Sequence, residues 1–303
     1  MAFNILAIDG GGTRGIFPAR LLQKIQEDLH IDFTTSFDLI IGTSSGSIVG
    51  TAAAIEFPLS KVLDFFKNSP ETILRPQKFS LNGLFRSKYY TEQLEKAVES
   101  AIGDMTFEAA KTRLIIPSSD IANADLCIFR SAYLPQYKDG QSIRLVDAIV
   151  SSCSAPLYFD PHYAEGRLLS DGGLWAQNPA LLGVIEAISV LHQNTQDIRV
   201  LSIGTGIERV NYGTQQDKST NWGLMKEWKG IQLANTFLHF QGRAAEYMVE
   251  SLIPKENYLR LDFTHEGMFK IDDVTIIDWL FEKADQAFEE YLPSIKSFFT
   301  YVK

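Results

Sequence analysis

The sequence predicts an α/β fold with a mostly parallel central sheet and helices on both faces, a three-layer α/β/α architecture. Short continuous apolar runs, typical of strands buried on both faces, alternate with segments of helical apolar spacing. Two of the strand-to-helix steps pass through glycine-rich turns. The 303 residues are 45% hydrophobic, which suffices for a large core. We expect one domain over residues 1–303, with the motifs within about 5–180 and a mainly helical part from about 222.

The first apolar run, Ile5 to Ile8, ends in Asp9 and three consecutive glycines. Helical spacing follows, so a helix is predicted to begin just after Gly15. Glycines without Cβ let backbone N–H groups face a ligand, and a helix N-terminus adds free donors and the positive end of its dipole. The junction therefore predicts a site for anionic oxygen.

Three chemistries use such a junction. Gly10-x-Gly12-x-x-Gly15 fits a dinucleotide site, but the next predicted strand, 37–41, does not end in the acid that binds ribose. A sugar-kinase type of phosphate loop also carries Asp-Gly-Gly-Gly-Thr, but it continues into a hairpin rather than a helix. The third is an oxyanion hole, which requires a nucleophile elsewhere.

The next strand supplies that nucleophile. Gly42-Thr43-Ser44-Ser45-Gly46 follows it directly and fits G-x-S-x-G, and helical spacing resumes at Ile48. A serine on a sharp strand-to-helix turn is a nucleophile elbow. Ser44 is the candidate and Ser45 the weaker one, while the alternative is a Gly/Ser turn that caps a helix.

A candidate acid appears later in the chain. A short apolar helix is predicted at 145–152, and 167–170 reads as a strand that places Asp171 at its end, before Gly172 and Gly173. Asp-Gly is also a common turn. A histidine after this acid would complete a Ser-His-Asp triad, and His192, His239 and His265 are available by order. None has a catalytic context, so we expect structural or surface roles for them.

Four segments in this order resemble the patatin-like phospholipase family: Asp9 to Gly15, Gly42 to Gly46, Ser152-Cys153-Ser154-Ala155-Pro156 and Asp171-Gly172-Gly173. The resemblance implies a serine–aspartate dyad without histidine. The family pattern matches the nucleophile to Ser44, the base to Asp171, the oxyanion loop to Gly10, Gly11 and Gly12, and supporting positions to Arg14, Gly42, Gly46, Gly172 and Gly173. Asn178-Pro179 also matches, although Gln177 stands where a second Asn is frequent.

The resemblance implies hydrolysis of phospholipid acyl esters at a membrane surface, with no metal or other cofactor. Some bacterial members are antiphage effectors switched on by cyclic nucleotides, so a cyclic-nucleotide activator is an alternative. A hypothesis of a different functional class is that the chain is a nucleotide- or sugar-phosphate-binding protein that uses the same glycine loop.

The amino-acid composition restricts the possible binding partners and the cellular location of the protein. The net charge of −9 argues against binding of nucleic-acid polymers and against a strongly basic membrane-binding face. Two cysteines, Cys127 and Cys153, give no metal spacing and no disulfide framework, and they favour a reducing, cytoplasmic location. Any contact with membranes is expected to be peripheral. No apolar run is long enough for a spanning helix, and no signal peptide is visible. An aromatic and basic stretch at 75–86 is expected to be an ordinary loop with buried aromatics rather than a lid or lipid-facing rim.

Overall fold

The structure is a computed structural model that describes residues 2–81, 83, 85–209, 231–266 and 269–300. Its strands are β1 (Phe3–Ile8), β2 (Leu39–Gly42), β3 (Arg113–Asp120), β4 (Asp125–Arg130), β5 (His162–Ala164), β6 (Arg167–Asp171), β7 (Ile198–Ile203), β8 (Ile207–Arg209), β9 (Tyr258–Leu261) and β10 (Thr264–Glu266). Its α-helices are α1 (Ile16–Leu29), α2 (Phe33–Ser36), α3 (Ser45–Ala54), α4 (Leu59–Asn68), α5 (Pro70–Ile73), α6 (Thr91–Ile102), α7 (Leu145–Cys153), α8 (Gly173–Ala176), α9 (Ala180–Ile185), α10 (Ile231–Leu252) and α11 (Ile277–Thr300).

Eight strands form a mixed sheet in the order β5-β6-β3-β2-β1-β7-β9, with β4 also paired to β3. The five strands from β3 to β9 in that order are parallel. β4 runs antiparallel to β3, because a tight turn at 120–125 returns the chain beside it, and β6 also runs antiparallel to β3. β8 and β10 pair with each other in a separate small sheet. The predicted architecture of a mostly parallel sheet is therefore confirmed, with one antiparallel edge.

Alternate residues of the central strands point to opposite faces of the sheet, and both faces are buried. In β1, Leu6 and Ile8 belong to a core formed with α1, α3, α4, α7 and α11. Ile5 and Ala7 belong to a second core formed with α9 and α10. The helices therefore cover both faces of the sheet, as predicted.

Most predicted elements are present, with shifted ends. α1 begins at Ile16, directly after the glycine loop, and β6 ends at Asp171, both as expected. The helix α9 ends at Ile185 and continues as a π-helical turn over Glu186–Val190. The strands β5, β8 and β10 are too short and irregular in pattern for the sequence to predict. The start of the mainly helical part expected from about 222 lies outside the described residues.

The loop expected at 75–86 is present, but its expected burial of aromatic rings is wrong. Phe79 is 83% and Phe85 is 72% exposed. Phe79 and Leu81 both have positive φ, at 63° and 45°. None of the helices in the described part of the chain is long and apolar enough to cross a bilayer.

Candidate active site

Ser44 occupies the turn between β2 and α3, with φ 52° and ψ −128°. A non-glycine residue rarely adopts this conformation, and serine nucleophiles on elbows do. A Cβ at Gly42 would lie 2.1 Å from the carbonyl oxygen of Gly46, and one at Gly46 would lie 2.4 Å from that of Ile8. The two glycines of G-x-S-x-G are thus required because three backbone segments meet here.

Ser152 fixes the elbow from the end of α7. The Ser44 N–H donates to Ser152 Oγ at 2.9 Å, and Ser152 Oγ donates to the Pro117 carbonyl at 2.6 Å. Ser47 Oγ also donates to the Ser44 carbonyl at 2.6 Å. The Ser-Cys-Ser-Ala-Pro segment therefore contributes by holding the backbone of the nucleophile.

Asp171 lies beside Ser44 at the carboxyl end of β6. It is buried, Gly173 N–H donates to its Oδ1 at 2.6 Å, and the Ser44 side chain lies near enough to lower its pKa. Burial nevertheless raises the pKa of Asp171 to about 6, because the Gly173 N–H and the Ser44 side chain oppose this only in part. The structure therefore brings together the two side chains that the sequence places on separate segments. A base with a pKa near neutrality suits proton transfer at physiological pH.

The glycine loop ends close to Ser44 and Asp171. The Gly10 N–H donates to the Gln177 carbonyl at 3.1 Å, and the Thr13 N–H donates to the Ile271 carbonyl at 2.8 Å. Within the described part of the chain, the N–H groups of Gly11 and Gly12 have no acceptor. Of the three glycines expected to stabilise an oxyanion, Gly10 is therefore engaged and the other two remain free to donate.

Two side chains fix the Gly10–Gly11 peptide. The Gly10 carbonyl accepts from Gln177 Nε2 and from Thr205 Oγ1, both at 2.6 Å. A planar trans peptide directs its N–H opposite to its carbonyl, so the Gly11 N–H points away from Gln177 and Thr205. Gln241 in turn accepts from the Gln177 N–H at 2.9 Å. Sequence reasoning noted Gln177 only as a departure from the family and missed Thr205 and Gln241.

An ion cluster holds the start of the loop. Arg260 on β9 donates to both carboxylate oxygens of Asp9 at 3.0 and 2.6 Å, and to Asp262 at 2.7 Å. Burial raises the pKa of Asp9 to about 6, although Arg260 opposes this, so Asp9 is mostly ionised at neutral pH. Burial disfavours the charge of Arg260, but the two carboxylates outweigh it and raise its pKa. No sequence signal identified Arg260, because it lies far along the chain from Asp9.

The supporting residues lie around these groups. Buried Arg14 donates from Nε to the Gly11 carbonyl at 3.2 Å, which braces the glycine loop from within the short 3-10 helix that follows it. The Gly172 N–H donates to the Ser152 carbonyl at 3.3 Å and so ties the Asp-Gly-Gly turn to α7.

A largely apolar cleft opens beside Ser44. It contains about 640 Å³ of space between atoms, part of which is open solvent. Gly12 and Ser44 lie in its wall, and the remaining lining is mainly aliphatic and aromatic: Ile48, Phe66, Ile73, Leu94, Tyr158 and Phe159. The cleft can accommodate an apolar chain next to the nucleophile.

None of the histidine contacts that the structure describes involves Ser44 or Asp171. His192 is exposed at the end of the π-helical turn, and half-buried His239 lies on α10. His265 is buried and stacks on Phe269, with ring centroids 4.4 Å apart. Among the described residues, no histidine forms a hydrogen bond or ion pair with Ser44 or Asp171. The geometry therefore offers Asp171, rather than an imidazole, as the group next to the serine.

One group of side chains has the composition of a metal site. Ligand atoms of Glu95, Asp147 and His162 lie within 4.8 Å of one another. All three residues are only partly buried, and Asp147 already contacts Arg144 at 3.7 Å and His162 at 3.3 Å. Such partly exposed groups are common without an ion, and none of the three lines the cleft.

Comparisons with known proteins agree with this geometry. A family model described as patatin-like phospholipase matches residues 6–183. The chain is 28% identical to a cGAMP-activated phospholipase of Vibrio cholerae, over 90% of this chain and 84% of that protein. It is 23% identical to a cUMP-AMP-activated phospholipase of Escherichia coli (87% and 82% covered) and 28% identical to patatin-like protein 2 of Arabidopsis thaliana (91% and 79% covered).

Proposed function

The chain belongs to the patatin-like phospholipase family, and on that premise we propose that it hydrolyses acyl esters of phospholipids through an acyl-enzyme on Ser44. One observation carries the proposal: Ser44 and the buried Asp171 lie next to each other, beside an apolar cleft and two glycine N–H groups that have no acceptor among the described residues. A nucleophile, a base, oxyanion donors and a site for an acyl chain are the parts that ester hydrolysis requires.

The proposed reaction has two balanced halves. Asp171 accepts the Ser44 proton as Oγ attacks the acyl carbon, and the carbonyl oxygen takes up the negative charge. The N–H groups of Gly11 and Gly12 donate to that oxygen, an interaction worth ~3–4 kcal/mol per donor in other enzymes. Collapse releases the alcohol, which takes the proton from Asp171. A water molecule then attacks the acyl-enzyme and gives its proton to Asp171. Collapse of this second intermediate breaks the bond between the acyl carbon and Ser44 Oγ, Ser44 takes the proton back from Asp171, and the fatty acid leaves.

The glycine loop fits this reaction better than it fits a nucleotide phosphate. A phosphate loop presents several successive N–H groups to its ligand. Here the N–H groups of Gly10 and Thr13 are engaged by carbonyls on either side of the two free donors. Two adjacent donors next to a serine match a single oxyanion.

Product analysis of wild-type protein and two variants tests the assignment. We expect lysophospholipid and free fatty acid by mass spectrometry with wild type, and neither with Ser44→Ala or Asp171→Asn. A fluorophosphonate should label Ser44 in wild type and leave Ser44→Ala unlabelled. Release of fatty acid by folded Ser44→Ala would disprove the nucleophile assignment. Stabilisation by ATP or NAD without labelling would favour the nucleotide-binding reading.

We further propose control by a cyclic nucleotide. The support is that relatives covered over most of their length are named as cGAMP-activated and cUMP-AMP-activated phospholipases. We expect a panel of cyclic dinucleotides to contain one that raises fatty-acid release by wild type and not by Ser44→Ala. Full activity without any of them, and no increase with any, would contradict control of this kind.

We also propose that residues 1–303 act as one domain with peripheral access to lipid. The support is structural continuity, since β9 extends the sheet that carries the glycine loop and α11 packs on the core beneath it. Removal of the chain beyond Leu252 should therefore unfold the catalytic part, and a folded, active 1–252 fragment would contradict this.

A further inference from the structure

The loop at residues 75–88, called here the rim loop, projects from the edge of the cleft. Its stem is closed by a bridge between Pro76 and Tyr89 and by a hydrogen bond from Gln77 N–H to the Lys88 carbonyl at 2.8 Å. Tyr89 N–H donates to the Tyr158 carbonyl at 2.7 Å, which attaches the stem to the cleft wall. Ile73, just before the loop, and Tyr89, just after it, both line the cleft that contains Ser44.

Large apolar side chains cover the tip of the rim loop. Phe79, Leu81 and Phe85 are 83%, 67% and 72% exposed. Leu157, which is 47% exposed, adds to them, because its carbonyl lies directly against Gly83. Single exposed apolar residues are ordinary, but several in one place mark a surface that binds a partner or a membrane.

The same loop is locally cationic although the chain is acidic. No Asp or Glu occurs from residue 72 to residue 91, whereas Arg75, Lys78 and Arg86 are exposed there. None of the three forms an ion pair within the described residues. Lys88 differs, since it pairs with the buried Asp272. A second acid in contact with the loop is Asp160, which accepts from Gln77 Nε2 at 3.1 Å.

We propose that the rim loop is the surface by which this protein docks on an anionic lipid bilayer. Aromatic and aliphatic side chains enter the headgroup boundary, and flanking cations bind the anionic surface. A second copy of this chain fits less well, because a symmetric contact would place like charges of the two loops together. The net charge of −9 means that the chain as a whole is repelled by such a surface, so attraction requires a local cationic cluster, which this loop supplies.

The proposal rests on the proposed function, because docking here would bring the mouth of the cleft to lipid. It also reverses the sequence-based expectation of a loop with buried aromatics and the argument from net charge against a basic membrane-binding face. A net charge sums over the whole surface, and it therefore conceals a local cationic cluster.

Binding is tested in the Ser44→Ala background, so the result does not depend on hydrolysis. We expect co-sedimentation with vesicles of phosphatidylcholine and phosphatidylglycerol in equal parts, weaker binding to pure phosphatidylcholine, and weakening by salt. Replacing Arg75, Lys78 and Arg86 together by Gln should reduce the partition coefficient of the protein between vesicles and water about a hundredfold at low salt. This corresponds to about fivefold for each cation that is removed. Phe79→Ser and Phe85→Ser should each reduce it about tenfold or more.

Matched controls separate this loop from general effects of charge and exposure. The first control replaces the exposed lysines Lys138, Lys255 and Lys296 together by Gln, which changes the net charge by the same amount. The second control combines Phe237→Ser and Phe240→Ser, which removes two exposed rings of α10. Both control variants should bind as Ser44→Ala does. Equal loss in the loop and control variants, or full binding by the loop variants, would overturn the proposal.

Two further outcomes are decisive. With Ser44 restored, the loop variants should lose hydrolysis of vesicle lipid and retain hydrolysis of a monomeric short-chain ester, since no substituted residue lines the cleft. Loss of both activities with vesicle binding intact would overturn the docking role. A loop-dependent dimer in sedimentation velocity, without vesicle binding, would assign the surface to a second copy instead. If wild type hydrolyses neither substrate, with or without the panel of cyclic dinucleotides, the proposed function fails while the binding comparison still decides the docking proposal.

Discussion

Replacement of Asp171 by Asn should abolish hydrolysis and at the same time stabilise the protein at neutral pH. The carboxylate is buried, and its pKa is raised to about 6 from the ordinary value of 3.8. This difference corresponds to at most ~3 kcal/mol of unfavourable free energy for the ionised form in the folded state. Asn removes the charge and retains an oxygen that can accept from the Gly173 N–H.

The sign of the pH dependence follows from the raised pKa. Below about pH 3 the carboxyl is largely protonated in both the folded and the unfolded state, so charge burial costs little there. The cost grows between the two pKa values and is complete above the folded one. Urea unfolding should therefore show Asp171→Asn more stable than wild type by up to ~3 kcal/mol at pH 7 and by less than ~1 kcal/mol at pH 4.

The same pKa governs activity. The base is about nine-tenths ionised at pH 7 and about one-tenth ionised at pH 5, so kcat/KM on a monomeric ester should fall about tenfold over that interval. A carboxyl with its ordinary pKa would give almost no change. A flat profile between pH 7 and 5, or an Asp171→Asn variant that is less stable than wild type at pH 7, would refute the reasoning.

Asp120 provides a matched control for the stability measurement. Hydrogen bonds, of which the largest contribution comes from the Asn123 side chain, lower the pKa of Asp120 against the effect of burial. Its ionised form therefore stabilises the fold above the unfolded pKa, and this contribution is lost as the pH falls. Asp120→Asn should be less stable than wild type at pH 7, opposite in sign to Asp171→Asn, and should keep its activity.

Further substitutions test the remaining parts of the site. Substitution by alanine of His192, His239 or His265 should leave substantial hydrolysis of a monomeric ester. If one of these variants folds and is as inactive as Ser44→Ala, the catalytic group is a triad with that histidine rather than a dyad. Arg260→Gln should lower the free energy of unfolding by about 3–5 kcal/mol in urea titrations, because it leaves Asp9 charged and buried without its partner; an unchanged midpoint would contradict this. Gln177→Leu should lower kcat about tenfold at nearly constant KM, because the Gly10 carbonyl loses one of two donors, and a change confined to KM would assign Gln177 to substrate binding.

The local parts of this site could be read from the sequence. A strand, a glycine turn and a helix start are determined by neighbours in the chain, and so the glycine loop and the Ser44 elbow were placed correctly. The glycines at 42 and 46 are required by backbone approach within a few residues or between adjacent strands. Asp171 was identified by its place at a strand end and by family resemblance, but its contact with Ser44 was not visible in the sequence.

Only the tertiary structure decided which groups are engaged and which are free. Gly10 differs from Gly11 because the Gln177 carbonyl accepts its N–H across the site. Asp9 meets Arg260 although 251 positions separate them in the chain. Burial that raises the pKa of Asp171, and exposure of Phe79 at the rim of the cleft, likewise depend on which distant segments pack nearby. The sequence alone determined the residues and their local backbone, whereas hydrogen-bond partners, desolvation and exposure were set by contacts between segments remote in the chain.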